Sequence, residues 1–250
     1  MLTFEQKIIT LKEVWRFKWL RYPSIVSAML MMARNFGGID FIYCYSSEIF
    51  KEMGLDDIES KIASILILIP GFFGACMATG LIEKTGRRPI LFSGLFLSVL
   101  GCFLIFVAEH FSKYSLIAQC AIVLGACFIA FAFYFSIGPI PSFLFAELVP
   151  EEAHSVVGSL SSATNWITGF VILCTFETLH YYMGPYVQWL FILPTTATAI
   201  YCWSRLPETK QKPVDDIINF YRKKYEDNLQ NDNEIYGLQP YGFVKNYGAA

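Results

Sequence analysis

Charge is scarce in this sequence: only 16% of its 250 residues are Asp, Glu, Lys or Arg, and three are histidine. His110, His154 and His180 lie far apart, and Cys44, Cys76, Cys102, Cys120, Cys127, Cys174 and Cys202 contain no CxxC pair. A metal site is therefore not expected; the cysteines, all within apolar runs, read as small packing residues. The net charge of -2 offers no argument for a nucleic-acid partner, and none is expected. No cofactor is expected, nor an enzyme activity. Residues 1–22 mix charges with aromatics and lack an apolar core followed by small residues, so a cleavable signal is not expected there. Strict alternation over ten-residue segments is nearly absent, which excludes an outer-membrane barrel.

What the sequence has in abundance is apolar length. Hydrophobic residues make up 55% of the chain, with 23 Phe and 14 Tyr. Charge-free runs cover Ile62 to Ile82, Pro89 to Ala108, Tyr114 to Ala146, Ser155 to Phe176 and Met183 to Ser204. Each reaches the roughly 20 residues that a bilayer-crossing helix needs. A further span, about Ser24 to Phe50, carries charges. The fold class is therefore all-α: a polytopic membrane protein of six transmembrane helices.

Lys and Arg near the span ends set the orientation. Lys7, Lys12, Arg16, Lys18 and Arg21 precede the first span, Lys84, Arg87 and Arg88 follow the second, and Arg205, Lys210 and Lys212 follow the sixth. The opposite side has Lys51, Lys61 and Lys113. This imbalance predicts that both termini are cytoplasmic. The expected organisation is an amphipathic lead-in over 1–22, a six-helix membrane domain over 23–206 and a cytoplasmic tail over 207–250. In the tail, Val214 to Tyr225 alternates apolar and charged residues as a short surface helix would, and a flexible end is expected beyond Glu226.

The run from Tyr114 to Ala146 would measure about 50 Å as straight helix against a hydrocarbon core of about 30 Å. Inside it stand Gly138, Pro139 and Pro141, so a discontinuous helix is expected, its freed backbone groups facing protein or a wet cavity. Taken as two triplets of spans, the chain has a matching interruption at Gly37 and Gly38 in the first helix of the other triplet. Paired interruptions in a three-plus-three inverted repeat point to a substrate site near the bilayer midplane.

Polar residues gather beside these places. Arg34, Asn35 and Asp40 flank Gly37 and Gly38, where burial is costly unless they face the bundle interior or water. Asn165 and Trp166 lie about ten residues into the fifth span and offer an amide beside a flat apolar face, which suits a sugar or polyol ring. The hairpin after the second span places Glu83 four residues before Arg87, next to Arg88, and Glu147 ends the fourth span. Glu83, Arg87, Arg88 and Glu147 are read as a charge latch able to hold one conformational state.

Several motifs occur in order: Glu83-x-x-Gly86-Arg87-Arg88, Gly138-Pro139-Ile140-Pro141 with Ala146-Glu147-Leu148, Asn165-Trp166, Gly184-Pro185-Tyr186-Val187 and Pro207-Glu208-Thr209-Lys210. With them the chain closely resembles, over about residues 10–222, the C-terminal half of the GLUT-type facilitated sugar transporters. These form part of the sugar porter branch of the major facilitator superfamily. The resemblance implies facilitated diffusion of a hexose or polyol by alternating access, in the plasma membrane. It implies substrate contacts at Arg34, Asn35, Asp40, Phe133, Tyr134, Ser142, Asn165 and Trp166, and a cytoplasmic gate at Glu83, Arg87, Arg88 and Glu147. Arg34 and Asn35 stand where that family has a Gln pair, Asp40 where it has Asn, Tyr134 where it has Glu, Ser142 where glucose carriers have Trp, and His154 where it has Arg. These departures put glucose itself in question and keep proton coupling through Asp40 open. The expected partners are a small-molecule sugar or polyol, membrane lipid, and either a missing N-terminal six-helix half or a second chain. The alternative is a shortened, non-transporting protein that binds or regulates a full-length relative.

Overall fold

The computed structural model describes residues 9–52, 54–111 and 115–225; the flexible end expected beyond Glu226 lies outside them, as do Lys7 and Lys113. Among the described residues all regular structure is helical. A short α1 (Leu11–Arg16) opens with a capping box, in which the Thr10 amide and hydroxyl both donate to the Glu13 carboxylate at 2.7 and 2.9 Å. The first crossing is split into α2 (Lys18–Phe36) and α3 (Ile39–Glu52), and the second into α4 (Asp57–Leu66) and α5 (Leu68–Thr85). The third is α6 (Arg87–Phe111), and the fourth runs from α7 (Leu116–Ala132) through a π-helical turn (Phe133–Ile137) into α8 (Pro139–Leu148). The fifth is α9 (Glu151–Met183), and the sixth is α10 (Trp189–Arg205).

Residues 151–205 form a nearly unbroken apolar helical stretch of 55 residues. As straight helix it would be far longer than any bilayer. The chain instead reverses at the 3-10 turn Gly184–Gln188, which brings the Phe176 and Phe191 rings to 5.9 Å, and the stretch counts as two crossings. Glycines let the third and fourth crossings approach closely: a Cβ on Gly101 would come within 2.7 Å of the Gly125 carbonyl oxygen.

The core forms two layers. One, at the end carrying most of the Lys and Arg, gathers Leu20, Leu30, Leu91, Ile140, Leu148 and Tyr221; the other gathers Phe41, Ile67, Ile122, Phe176 and Phe191. Asn35, Ser98 and Thr195 are buried, and each lies in the chain between residues of one layer and residues of the other. The bundle therefore has a polar waist at the level of the first interruption.

The amphipathic α11 (Val214–Tyr225) packs back on the basic end. It buries Ile217, Ile218 and Tyr221, and the Tyr221 hydroxyl donates to the Arg205 carbonyl at 3.1 Å. Arg222 stacks over Trp19, which ties the tail to the start of the first crossing.

Candidate functional site

The two interruptions differ in construction. At the first, α2 stops at Phe36, and Gly38 takes φ +89°, a left-handed conformation that side chains other than glycine rarely adopt. Ending a helix frees carbonyl groups, which inside an apolar bundle need donors. Buried hydroxyls from other crossings supply them: Ser98 Oγ donates to the Gly37 carbonyl at 2.7 Å, and Thr195 Oγ1 to the Phe36 carbonyl at 2.9 Å. At the second interruption the helix is broken in another way, by a π turn between α7 and α8. Phe133 to Gly138 forms a widened π turn closed by the Gly138 amide on the Phe133 carbonyl at 2.8 Å, and Gly138 keeps right-handed helical angles. The extra residue in the turn accommodates Pro139 and Pro141 without cutting the axis.

Polar side chains from three crossings, the first, fourth and fifth, meet between these places. The Asn35 amide donates to the Asn165 carbonyl at 2.7 Å and lies 3.4 Å from its side-chain oxygen, joining α2 to α9. The neighbouring Arg34 reaches α8, where Nη1 donates to Ser142 Oγ at 3.3 Å, and its guanidinium lies 5.3 Å from the centre of the Phe133 ring. Ser142 in turn donates to the Gly138 carbonyl at 3.0 Å. One residue further along the π turn, the Tyr134 hydroxyl shares a 3.0 Å hydrogen bond with Tyr43 on α3. Tyr43 was missed by sequence reasoning, being one more tyrosine in an aromatic-rich span. Asp40 is half-buried and makes no ion pair with Arg34 within 4 Å among the described residues. Trp166 is 76% exposed beside Asn165. The arrangement is an open polar face: Tyr43, Ser142 and Trp166 are exposed, and Arg34, Tyr134 and Asn165 are part-exposed.

The latch residues separate into two groups. Arg87 donates to Glu147 Oε1 from Nη2 at 3.1 Å and Nε at 3.3 Å, and Thr209 Oγ1 donates to the other Glu147 oxygen at 2.5 Å. Arg88 instead donates to the Trp203 carbonyl at 2.7 Å and stacks on the Trp203 ring. Glu83 is exposed and joins none of the ion pairs among the described residues, so the expected pairing with Arg87 is absent. The reason is Gly86, whose φ of +100° turns the chain between them. A residue that sequence reasoning left without a role, Glu208, accepts the Arg87, Arg88 and Lys210 amides at 3.0, 3.2 and 3.1 Å. Its carboxylate thus caps the N-terminus of α6, where the helix dipole favours a negative charge. The only signal was the Pro207-Glu208-Thr209-Lys210 motif. His154 bonds to the Val149 carbonyl at 2.9 Å and joins none of the ion pairs among the described residues.

The profile described as Sugar (and other) transporter matches residues 1–221. The facilitated glucose transporter member 2 of Rattus norvegicus is 30% identical over 208 residues, covering 82% of this chain and 39% of that protein. The facilitated trehalose transporter Tret1-2 homolog of Drosophila sechellia is 30% identical over 203 residues, covering 78% of this chain and 41% of that one. Among solved structures, the proton:xylose symporter XylE bound to 6-bromo-6-deoxy-D-glucose aligns with a TM-score of 0.69 at 20% identity, over 79% of this chain and 42% of that one. A double tryptophan mutant of XylE aligns with a TM-score of 0.72 over 80% and 42%. At that identity the likeness speaks for the fold alone. The chain spans about two fifths of the length of these proteins.

Proposed function

The chain belongs to the Sugar (and other) transporter family and is an integral membrane protein, and from that premise we propose that it forms one six-helix half of an alternating-access sugar carrier. The substrate is a hexose or related polyol, and transport is facilitated diffusion. The half corresponds to the C-terminal half of the family's full-length members, and the complete pathway requires a second six-helix unit against the open polar face. The basic end, with both termini, is cytoplasmic in the plasma membrane.

The observation that carries this reading is the chain of contacts Asn165–Asn35, Arg34–Ser142 and Tyr134–Tyr43 along one face of the bundle. Amides, hydroxyls and aromatic rings on a partly wet face match what a sugar presents: many hydroxyls and two apolar ring faces. Asn35, Asn165 and Ser142 bind hydroxyls, Phe133, Tyr134 and Trp166 pack against the ring, and Arg34 with Asp40 sets selectivity. The Arg87–Glu147–Thr209 cluster, closed across two helix ends and the segment after α10, serves as the cytoplasmic gate.

The test is uptake of labelled hexoses and polyols by vesicles carrying the complete transporter. Asn165→Ala and Trp166→Ala lower uptake about tenfold or more while surface abundance holds, the loss expected when a hydrogen bond or ring contact to the substrate is removed. A parallel loss of abundance and uptake would mean that these residues pack and do not bind.

A further inference from the structure

At the basic end a cavity of about 360 Å³ opens between the end of α10, the start of α6, the segment Pro207 to Lys212, and α11. Its walls carry Arg88, Arg205 and Lys212 against Glu208 and Asp216. Three cations against two carboxylates leave positive charge in excess, and the Glu208 carboxylate accepts from three backbone amides. Lys212 is exposed, with no side-chain hydrogen bond or ion pair among the described residues.

What leads to this cavity is apolar and faces outward. Leu193, Ile200 and Trp203 lie on one stripe of α10 and are all exposed, Trp203 at 64%. On α6, Phe96 is exposed, and Phe92 meets the Trp203 ring edge-on at 4.9 Å. Since α6 and α10 pack together, these exposed side chains border the furrow between the two helices, and Trp203 and Arg88 join its end to the cavity. Tryptophan at the end of such a stripe marks the depth at which headgroups lie.

From this juxtaposition we infer that the cavity binds the phosphate of an anionic glycerophospholipid, with an acyl chain in the furrow between α6 and α10. Lys212, Arg205 and Arg88 face the phosphate, and Trp203 separates headgroup from chain. Cation clusters between membrane helices at a basic end favour anionic headgroups in this way. Because the cavity touches the Arg88 side of the loop whose other arginine holds Glu147, occupancy bears on the end of the bundle and not on the polar face where the solute is proposed to bind. The inference does not depend on which solute is carried.

The experiment is native mass spectrometry of the detergent-solubilised full chain, titrated separately with phosphatidylglycerol, phosphatidylcholine and inorganic phosphate. Phosphatidylglycerol is retained preferentially, and Lys212→Glu weakens its retention about fivefold or more, the order set by one interfacial cation. Trp203→Ala weakens it as well, while phosphatidylcholine is little affected by either change. Arg88→Gln could disturb folding through its bond to Trp203, so the exposed Lys212 decides the question. Equal retention of the two lipids, or retention of phosphatidylglycerol unchanged by both Lys212→Glu and Trp203→Ala, overturns the proposal. Inorganic phosphate bound as tightly as the lipid overturns it too, since the furrow would then contribute nothing.

Discussion

The two interrupted helices solve one problem by opposite means. At Gly37 and Gly38 the helix ends, a glycine goes left-handed, and the freed carbonyls are served from outside by Ser98 and Thr195. At Phe133 to Pro141 the helix widens by one residue, stays right-handed and serves itself. The first is held by tertiary structure and is rigid in proportion to its partners. The second holds its irregularity within its own backbone, and it is the one that carries Phe133, Tyr134 and Ser142. The difference teaches that a break in a membrane helix can be closed by other helices or by the helix itself, and that only the partners of its backbone groups say which.

The largest effect expected from this contrast is at glycine. Gly38→Ala forces a left-handed alanine whose Cβ would lie 2.8 Å from the Phe41 ring, so folded yield and thermal stability fall by about 2 kcal/mol or more. Gly138→Ala keeps an allowed backbone, with its nearest contacts at 3.0 Å, and costs less than half as much. Thermal unfolding of the two purified variants measures this, and equal losses would erase the distinction between the joints.

Next come the donors. Ser98→Ala or Thr195→Val leaves a buried carbonyl without its hydroxyl, a loss of about 1–3 kcal/mol each. The same assay on Ser142→Ala is expected to show a change within about 0.5 kcal/mol, because Ser142 is itself exposed and water can take the place of its hydroxyl. A large effect at Ser142 would make the second joint as dependent on its partners as the first.

Smaller still are changes in selectivity and gating. Arg34→Gln combined with Asp40→Asn shifts preference toward glucose by a few-fold in competitive uptake, and an unchanged profile would remove these residues from specificity. Glu147→Gln, which weakens the bonds to Arg87 and Thr209, moves the balance between inward- and outward-facing forms by a few-fold. Sided inhibitor binding reads this directly, and unaltered binding from both sides would rule the latch out.

Much of the fold is legible in the chain. Run lengths give six crossings, even where residues 151–205 are nearly continuous helix, because Gly184-Pro185 supplies a turn. The alternation over Val214 to Tyr225 gives a helix with Ile217 and Tyr221 on its buried side. The site is less legible. Proline and glycine announce an irregularity at 138–141 but not its form, since the choice between a cut and a π turn rests on the spacing of hydrogen bonds, which has no residue signature. Glu83 and Arg87 have helix-pair spacing, yet the intervening left-handed glycine separates them, and Glu208, some 120 positions away, takes the amides that sequence leaves unassigned.

The sequence by itself determined the class of protein, the number of crossings, the basic end and the locations of Gly38 and the 138–141 irregularity. These follow from quantities summed or read locally: apolar length against bilayer thickness, charge near span ends, and the conformational limits of glycine and proline. The tertiary structure alone decided which hydroxyls close the first joint, that Asn35 meets Asn165, and that Glu147 chooses Arg87 over Arg88. Those are pairings between distant segments, and a hydrogen bond depends on a few tenths of an ångström and an angle, which only the packed helices fix.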